Sequence, residues 1–404
     1  MALKRTGRKK SNNRDAGKRR TRRKKPQSFS ARFASISTRY DMGIIFPTAI
    51  LVIFGIVMVF SAGYYTTVNA YGDAFYYLKR QAAYVALGIV LMAAAARVDY
   101  HVYAGKFYWL WTIGSILLLG LLFTPLGVEV NSATRWFTLG PVNITPSELS
   151  KLAIIMFTAT YLARNPRQVR KLPGICVLLA VMLVHAALII KQPNLSTAIV
   201  ICAIMLGIMF VAGMHLQWYA LGAGAGVLGV FYILNFRKDT HWYARLTSFR
   251  NPFADAQGNG YQVSQSLIAL GNGGIRGLGL GNSISKNLYL PFPQNDFILA
   301  IIGEELGFIG IVILMAIYLW LIYRCFLVAA RAADKLGLYM ASGITIMLAL
   351  QVIINVAVVT ASMPATGITL PFVSYGGTSL LVFMVSMGIL LNIAKSSQKI
   401  EEEE

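Results

Sequence analysis

Apolar runs of roughly 18 to 20 residues recur along almost the whole chain, and each is near the length that a helix needs to cross a hydrocarbon core about 30 Å thick. Such a pattern reads as spanning helices and not as a membrane barrel. Only 13% of the residues are charged, against about a quarter in soluble domains, and 56% are hydrophobic, so no soluble catalytic domain is left over. The expected fold is an all-α polytopic membrane protein. About ten transmembrane helices are read, at about 43–62, 81–96, 107–123, 151–164, 172–190, 197–214, 218–235, 296–323, 338–360 and 377–394. They make one domain over residues 41–395, with a large outer loop, 236–295, between the seventh and eighth helices and a short tail at 396–404.

The formal charge of +21 is unevenly placed. Residues 1–40 hold 15 Lys and Arg against one acid, Asp15, which supplies +14 of the total. A basic tail before the first apolar run keeps that end cytoplasmic and is drawn to an anionic lipid surface, by about 1 kcal/mol per cation near the leaflet. Membrane binding is the reading, with no nucleic-acid partner expected. The tail's composition predicts disorder, and ten crossings put both termini in the cytoplasm. Cys176, Cys202 and Cys325 lack ligand spacing and pair count, so neither a disulfide frame nor a metal site is read. The four histidines, His101, His185, His215 and His241, show no ligand spacing either.

The outer loop departs from the positive-inside pattern, carrying Arg237, Lys238, Arg245, Arg250, Arg276 and Lys286 against Asp239 and Asp255. Either its charge is unconstrained, because the rule fades for long loops, or these cations receive an anionic group such as a lipid diphosphate. After the loop, Asp296 opens the eighth apolar run. It reads as a helix cap, as an ionised base able to take a proton from a hydroxyl, or as both. No second acid stands beside it at glycosidase spacing, but transfer from a diphosphate-activated sugar needs cationic support for the leaving group and not its protonation.

Other candidates have two readings each. Glu148 and Lys151 share a helix face and suit an ion pair, structural or functional. Arg135 beside Trp136, in an outer loop bounded by Pro and Gly, could hold a phosphate or stack on its neighbour. Glu304 and Glu305 point about 100° apart on a helix, so they cannot share one partner; Gln351 or Asn355 would complete a polar core network. The run from Gly271 to Gly281 lacks the ending of a nucleotide loop and is read as a re-entrant segment lining a substrate cavity.

Several of these stretches fall together in order: Tyr261-Gln-Val-Ser-Gln-Ser266, the glycine run through Ser283, Tyr289-Leu-Pro291, Asp296-Phe297, Glu304-Glu-Leu-Gly307 and Pro364 through Ser379. Together they resemble the SEDS proteins (shape, elongation, division and sporulation) from about Asp41 to Lys395. The resemblance implies a peptidoglycan glycosyltransferase that polymerises lipid II at the outer face of the bacterial cytoplasmic membrane. It implies a class B penicillin-binding protein, the crosslinking transpeptidase, as partner, together with division-complex membrane proteins. Asp296 matches the family's catalytic aspartate, with the inferred role of general base. The family's outer motif maps onto Arg135, Trp136, Glu148 and Lys151, and Arg245, Gln262, Lys286, Glu304 and Ser374 are carried as further candidate substrate contacts. A divalent cation, Mg or Mn, is compatible with the diphosphate, though no sequence feature fixes its ligands; no organic cofactor is implied.

The chain departs from the family's pattern at three places. Phe292 stands where Leu-Pro is commonly followed by Glu, Gln192-Pro-Asn-Leu-Ser196 replaces the frequent Gln-Pro-Asp-Leu-Gly, and Asn295 precedes Asp296 in place of Thr. The basic tail and the Glu304-Glu-Leu-Gly run lean towards division or sporulation members over elongation ones. Two other functions compete: a lipid II flippase, which should show internal repeats that this sequence lacks, and a scaffold that only recruits the crosslinking enzyme.

Overall fold

Asp41 sets the start of the first helix: its side chain accepts from the Gly43 N–H at 2.8 Å and also receives Arg324 at 2.6 Å and 2.8 Å. A capping carboxylate at a helix start contributes about 1 kcal/mol, and here it also ties the chain's beginning to a later helix. In the computed structural model this helix, α1, runs Met42–Tyr71 and ends at Gly72 in the left-handed region. Residues 41–106, 108–130, 133–139, 142–236, 249, 251–258 and 260–403 are described in the structure. The tail of residues 1–40 and the loop cations Arg237, Lys238, Arg245 and Arg250 lie outside them.

The further helices are α2 (Tyr76–Ala95), α3 (Trp109–Leu121), α4 (Pro146–Arg164), α5 (Leu172–Lys191), α6 (Leu195–Val211), α7 (Leu216–Phe236), α8 (Tyr261–Gly273), α9 (Ile298–Ala330), α10 (Lys335–Val359) and α11 (Gly377–Glu403). A helix stands at every run read as a span. Among the described residues, six are long and apolar enough to cross a membrane, α1, α2, α5, α9, α10 and α11, and α3 and α6 are apolar but shorter. This is a multi-pass membrane protein. Exposed Leu221, Val227, Leu228 and Phe231 on α7, and Phe308, Ile313 and Leu319 on α9, suit acyl chains as neighbours.

The bundle is layered by burial. Along its apolar window α11 is 83% buried and α9 only 22%, so α11 runs through the interior while α9 shows much of its length to lipid. α11 packs on α2, α10 on α4 and α6, and α9 on α1, α8 and α10.

Two features go beyond the sequence reading. Between α3 and α4 the chain folds into a three-stranded antiparallel sheet, β1 (Gly127–Val130), β2 (Ala133–Leu139) and β3 (Val142–Ile144), in the order β1-β2-β3. And α9 is interrupted at Gly307, which has φ 67° and ψ −169°. The break frees carbonyls that the glycine run then satisfies: Leu278 N–H donates to Glu304 O and Gly279 N–H to Glu305 O, both at 2.9 Å, while Phe308 N–H donates to Gly274 O at 2.9 Å. A Cβ on Gly277 would lie 2.2 Å from Glu305 O, so the contact is main chain on main chain. The glycine run therefore fills the notch in α9. It does not line the cavity described below, because close approach to the broken helix is what its missing side chains permit.

Candidate active site

Pro291 and Pro293 deny the approach to α9 a regular hydrogen-bond ladder, and Leu288 and Phe292 take positive φ values of 68° and 50°. Such strained turns gather at functional sites, and this one delivers Asp296. The helix begins at Ile298 with Phe297 at the cap position, so Asp296 stands one residue before the cap. The partly buried Asp296 lies in the wall of a cavity of about 630 Å³. Opposite its carboxylate stands Gly367, at φ 71°, where an added Cβ would come 3.8 Å from Oδ2.

The sheet supplies the next wall through a β-bulge. β2 pairs Trp136 with Val128 and Thr134 with Glu129, leaving Arg135 as the extra residue between them. A bulge re-aims a side chain, which lets the adjacent Arg135 and Trp136 both line the cavity. The guanidinium donates to the Gln192 carbonyl at 3.3 Å and to that of Pro193, tying β2 to the break between α5 and α6. Asn194 in that break caps α6 through the Thr197 N–H at 3.3 Å, and both residues reach the cavity. Thr378 stitches the other end of the sheet to α11, accepting from Thr145 N–H and donating to Asn143 O, each at 3.1 Å.

Glu148 and Lys151 form the expected pair on α4 at 2.6 Å, with the lysine side chain 3% exposed. Glu148 lines the cavity, and its second oxygen is buried without a hydrogen bond. Gln262, on α8, also lines it. The structure thus brings Asp296, Arg135, Trp136, Glu148 and Gln262 to one space, with Lys151 directly behind Glu148.

Three expected contacts go elsewhere. Glu304 is fully buried and accepts from Ser283 Oγ, Ser285 N–H and Oγ, and Asn272 Nδ2. Lys286 pairs with Glu305 at 2.8 Å and also donates to Ser61 Oγ and Gly281 O. Ser374 Oγ accepts from the Leu370 N–H at 2.8 Å inside its own loop. All three side chains are taken up by internal bonds and do not line the cavity. Gln351 and Asn355 do not complete the glutamates' network: serines and a lysine do, and Asn355 donates instead to the carbonyls of Asp296 and Ile368. Arg245 lies outside the described residues.

Sequence reading missed Arg80, Tyr84 and Tyr375, which also line the cavity. Arg80 lies over the Tyr76 ring at 5.4 Å and donates to its hydroxyl at 2.7 Å. Burial pushes the Tyr375 phenol well above its ordinary value, and the nearby Arg80 opposes this only in part, so the group stays a hydrogen-bond donor. The adjacent Lys79-Arg80 pair was the available signal, but it reads equally as the foot of a span. Among the described residues no group of three or more His, Cys, Asp or Glu is placed to hold a metal ion.

Comparison with known proteins gives one consistent result. The family model for FtsW, RodA and SpoVE, described as "Cell cycle protein", matches residues 42–399. The probable peptidoglycan glycosyltransferase FtsW of Geobacter sp. (strain M18) is 39% identical over 358 residues, covering 88% of this chain and 96% of that protein. Stage V sporulation protein E of Bacillus subtilis (strain 168) is 36% identical over 365 residues, covering 89% and 98%. Among solved structures, a chain from "Structural coordination of polymerization and crosslinking by a peptidoglycan synthase complex" superposes with TM-score 0.73 at 28% identity, covering 89% of this chain and 98% of that one. The Thermus thermophilus rod shape determining protein RodA does so with TM-score 0.65 at 27% identity, covering 88% and 97%.

Proposed function

This chain belongs to the FtsW/RodA/SpoVE family of cell cycle proteins, and we propose that it polymerises lipid II into glycan strands with Asp296 as general base. It is a peptidoglycan glycosyltransferase of the membrane. The observation that carries the proposed chemistry is the placing of Asp296 in the same cavity as Arg80, Arg135, Trp136 and Glu148.

In this reading the Asp296 carboxylate takes the proton of the acceptor sugar's 4-hydroxyl as that oxygen attacks the anomeric carbon of the donor. The bond to undecaprenyl diphosphate breaks, and its electron pair leaves with the diphosphate. That leaving group carries its own charge, so it needs cations and not an acid, and Arg80 and Arg135 are the cations in the wall. Trp136 offers a flat face for a sugar or for the polyprenyl chain. A divalent cation fits a site with two carboxylates and a diphosphate, since Mg commonly binds one or two carboxylates together with substrate phosphates. Glu148, whose second oxygen is buried without a partner, would help to hold it beside the phosphates, and it would screen the diphosphate's charge.

The cavity faces outward in this reading, with ten crossings and both termini cytoplasmic. The basic turns at Arg97 to Lys106, Arg164 to Lys171 and Arg324 to Lys335 then share the inner side, as the positive-inside rule favours. A class B penicillin-binding protein is the proposed partner, supported by the related chain from a synthase complex that coordinates polymerisation and crosslinking. Relatives named FtsW and a stage V sporulation protein favour septum synthesis over elongation.

Polymerisation of labelled lipid II by the purified protein with its cognate transpeptidase tests the assignment. Asp296→Asn should lower the rate by about 10²- to 10⁴-fold, the usual worth of a positioned base, while the protein still folds and binds its partner. Unchanged polymer from that variant would remove Asp296 as the base. Lipid II crossing the bilayer without polymer from the wild type would favour the flippase.

A further inference from the structure

We propose that Asn355 is the positioning residue for Asp296, an inference that rests on the base assignment above. Asn355 sits on α10, 1% exposed, and its amide nitrogen donates two hydrogen bonds of 2.8 Å, one to the Asp296 carbonyl and one to the Ile368 carbonyl. An amide has two N–H groups, and both are used here. The orientation of the amide is fixed by these partners, since turning it over would set its oxygen against two carbonyl oxygens. The Oδ1 atom is buried without a hydrogen bond, so the side chain is held in place by its donors alone.

The two carbonyls belong to the two sides of the carboxylate. One is the main chain of Asp296 itself; the other follows Gly367, the residue that faces Asp296 Oδ2. Neither segment is regular structure. The approach to Asp296 carries Leu288 and Phe292 at positive φ, and Gly367 and Phe372 in the facing loop are at positive φ as well. Two such loops need something outside themselves to fix their spacing, and α10 is the buried helix that reaches both. A second tie, Tyr375 N–H to Gln294 O at 2.8 Å, joins the same loops but lies farther from Asp296 along both chains. Removing Asn355 leaves the carboxylate present but loosens its distance from the acceptor, and a displacement of about 1 Å can cost about a hundredfold in rate.

The test uses the full chain with its transpeptidase and labelled lipid II, comparing wild type, Asn355→Leu, Asp296→Asn and the double variant. Leucine keeps the branched shape of asparagine, though it is larger, and removes both donors. Asn355→Leu should lower kcat by about 10- to 100-fold with KM within about twofold, because the loss falls on positioning and not on substrate binding. In the Asp296→Asn background it should add no further loss, since a residue acting through Asp296 has nothing left to position. If leucine blocks folding, the smaller and still polar Asn355→Ser is measured in the same way, with the same outcomes expected. An unchanged kcat, a loss confined to KM, or a full further loss in the Asp296→Asn background would each overturn the proposal while leaving the base assignment standing. An active Asp296→Asn would overturn both.

Discussion

Lys286 and Glu305 form an ion pair of 2.8 Å in which the lysine side chain is 4% exposed and the glutamate 0%. Ser61 on α1 donates to the same glutamate oxygen at 2.6 Å, so one carboxylate joins α1, the loop before Asp296 and the broken helix α9. Breaking such a pair on one side strands a buried charge, at about 3 to 5 kcal/mol, whereas removing both charges is often nearly neutral. Lys286→Met should therefore lower the unfolding temperature in detergent clearly, and adding Glu305→Gln should restore much of it. Thermal unfolding of the two variants checks this, and a double variant no better than the single one would show that the lysine matters for its bonds to Ser61 and Gly281 alone.

Gly307 occupies a conformation that side chains rarely adopt, and a Cβ there would stand 2.4 Å from the Gly277 nitrogen. Both the backbone angle and the neighbour oppose any substitution. Gly307→Ala is expected to destabilise the protein by more than about 2 kcal/mol, since strain at a positive φ adds to overpacking against main chain that cannot give way. The yield of monodisperse protein and its unfolding temperature report this directly. Gly114 on α3, where an added Cβ would meet no packed neighbour within 4 Å, is the control that should accept alanine.

What the sequence made legible follows from what a bilayer demands. Long apolar runs have few alternatives to helices, so each expected span is a helix, with ends displaced by a few residues where polar turns continue it, as α1 does beyond Ala62 to Tyr71. Asp296 and the pairing of Glu148 with Lys151 were legible because one opens an apolar run and the other is local on a helix. The sheet was not, since its strands are short and the Arg135 bulge breaks their alternation. Nor were the partners of Glu304 and Glu305, because Ser61, Ser283, Ser285 and Lys286 stand 19 to 244 residues away in the chain, with no local spacing to link them. Asn355 was assigned to the wrong acids for the same reason: its carbonyl partners have no side-chain signature.

Lys151 stands behind Glu148, 2.6 Å away and almost wholly buried, as the counter-charge of a cavity-lining carboxylate. Lys151→Met leaves that carboxylate without its cation and should cost about 3 kcal/mol or more of stability, whereas Glu148→Gln keeps a neutral acceptor for the lysine and should cost less. On activity the order is expected to reverse if Glu148 helps to hold a diphosphate-bound cation, because the glutamine variant then loses a ligand. Unfolding temperature and the dependence of polymerisation on added Mg, measured on both variants, separate the two effects.

His101, in the turn between α2 and α3, lies between two carboxylates, with Nδ1 2.7 Å from Asp99 and Nε2 2.9 Å from Asp334. Asp334 also caps α10 through the Gly337 N–H at 2.8 Å and accepts from the Tyr100 hydroxyl at 2.9 Å. Partial burial works against the imidazolium, but the bonds to Asp99 and Asp334 outweigh it, and the pKa of His101 is raised above its ordinary 6.5. The sign follows: the stabilisation is fully present below pH 6.5 and is lost as the pH rises through the raised value. The side chain is 53% exposed, so solvent screens the pair and the effect should be small, under about 1 kcal/mol. Unfolding temperature measured from pH 5.5 to pH 8.5, a window of about one unit below and two above the ordinary histidine value, should fall slightly more for the wild type than for His101→Gln. Parallel curves for the two proteins would show that the histidine holds this joint without its charge.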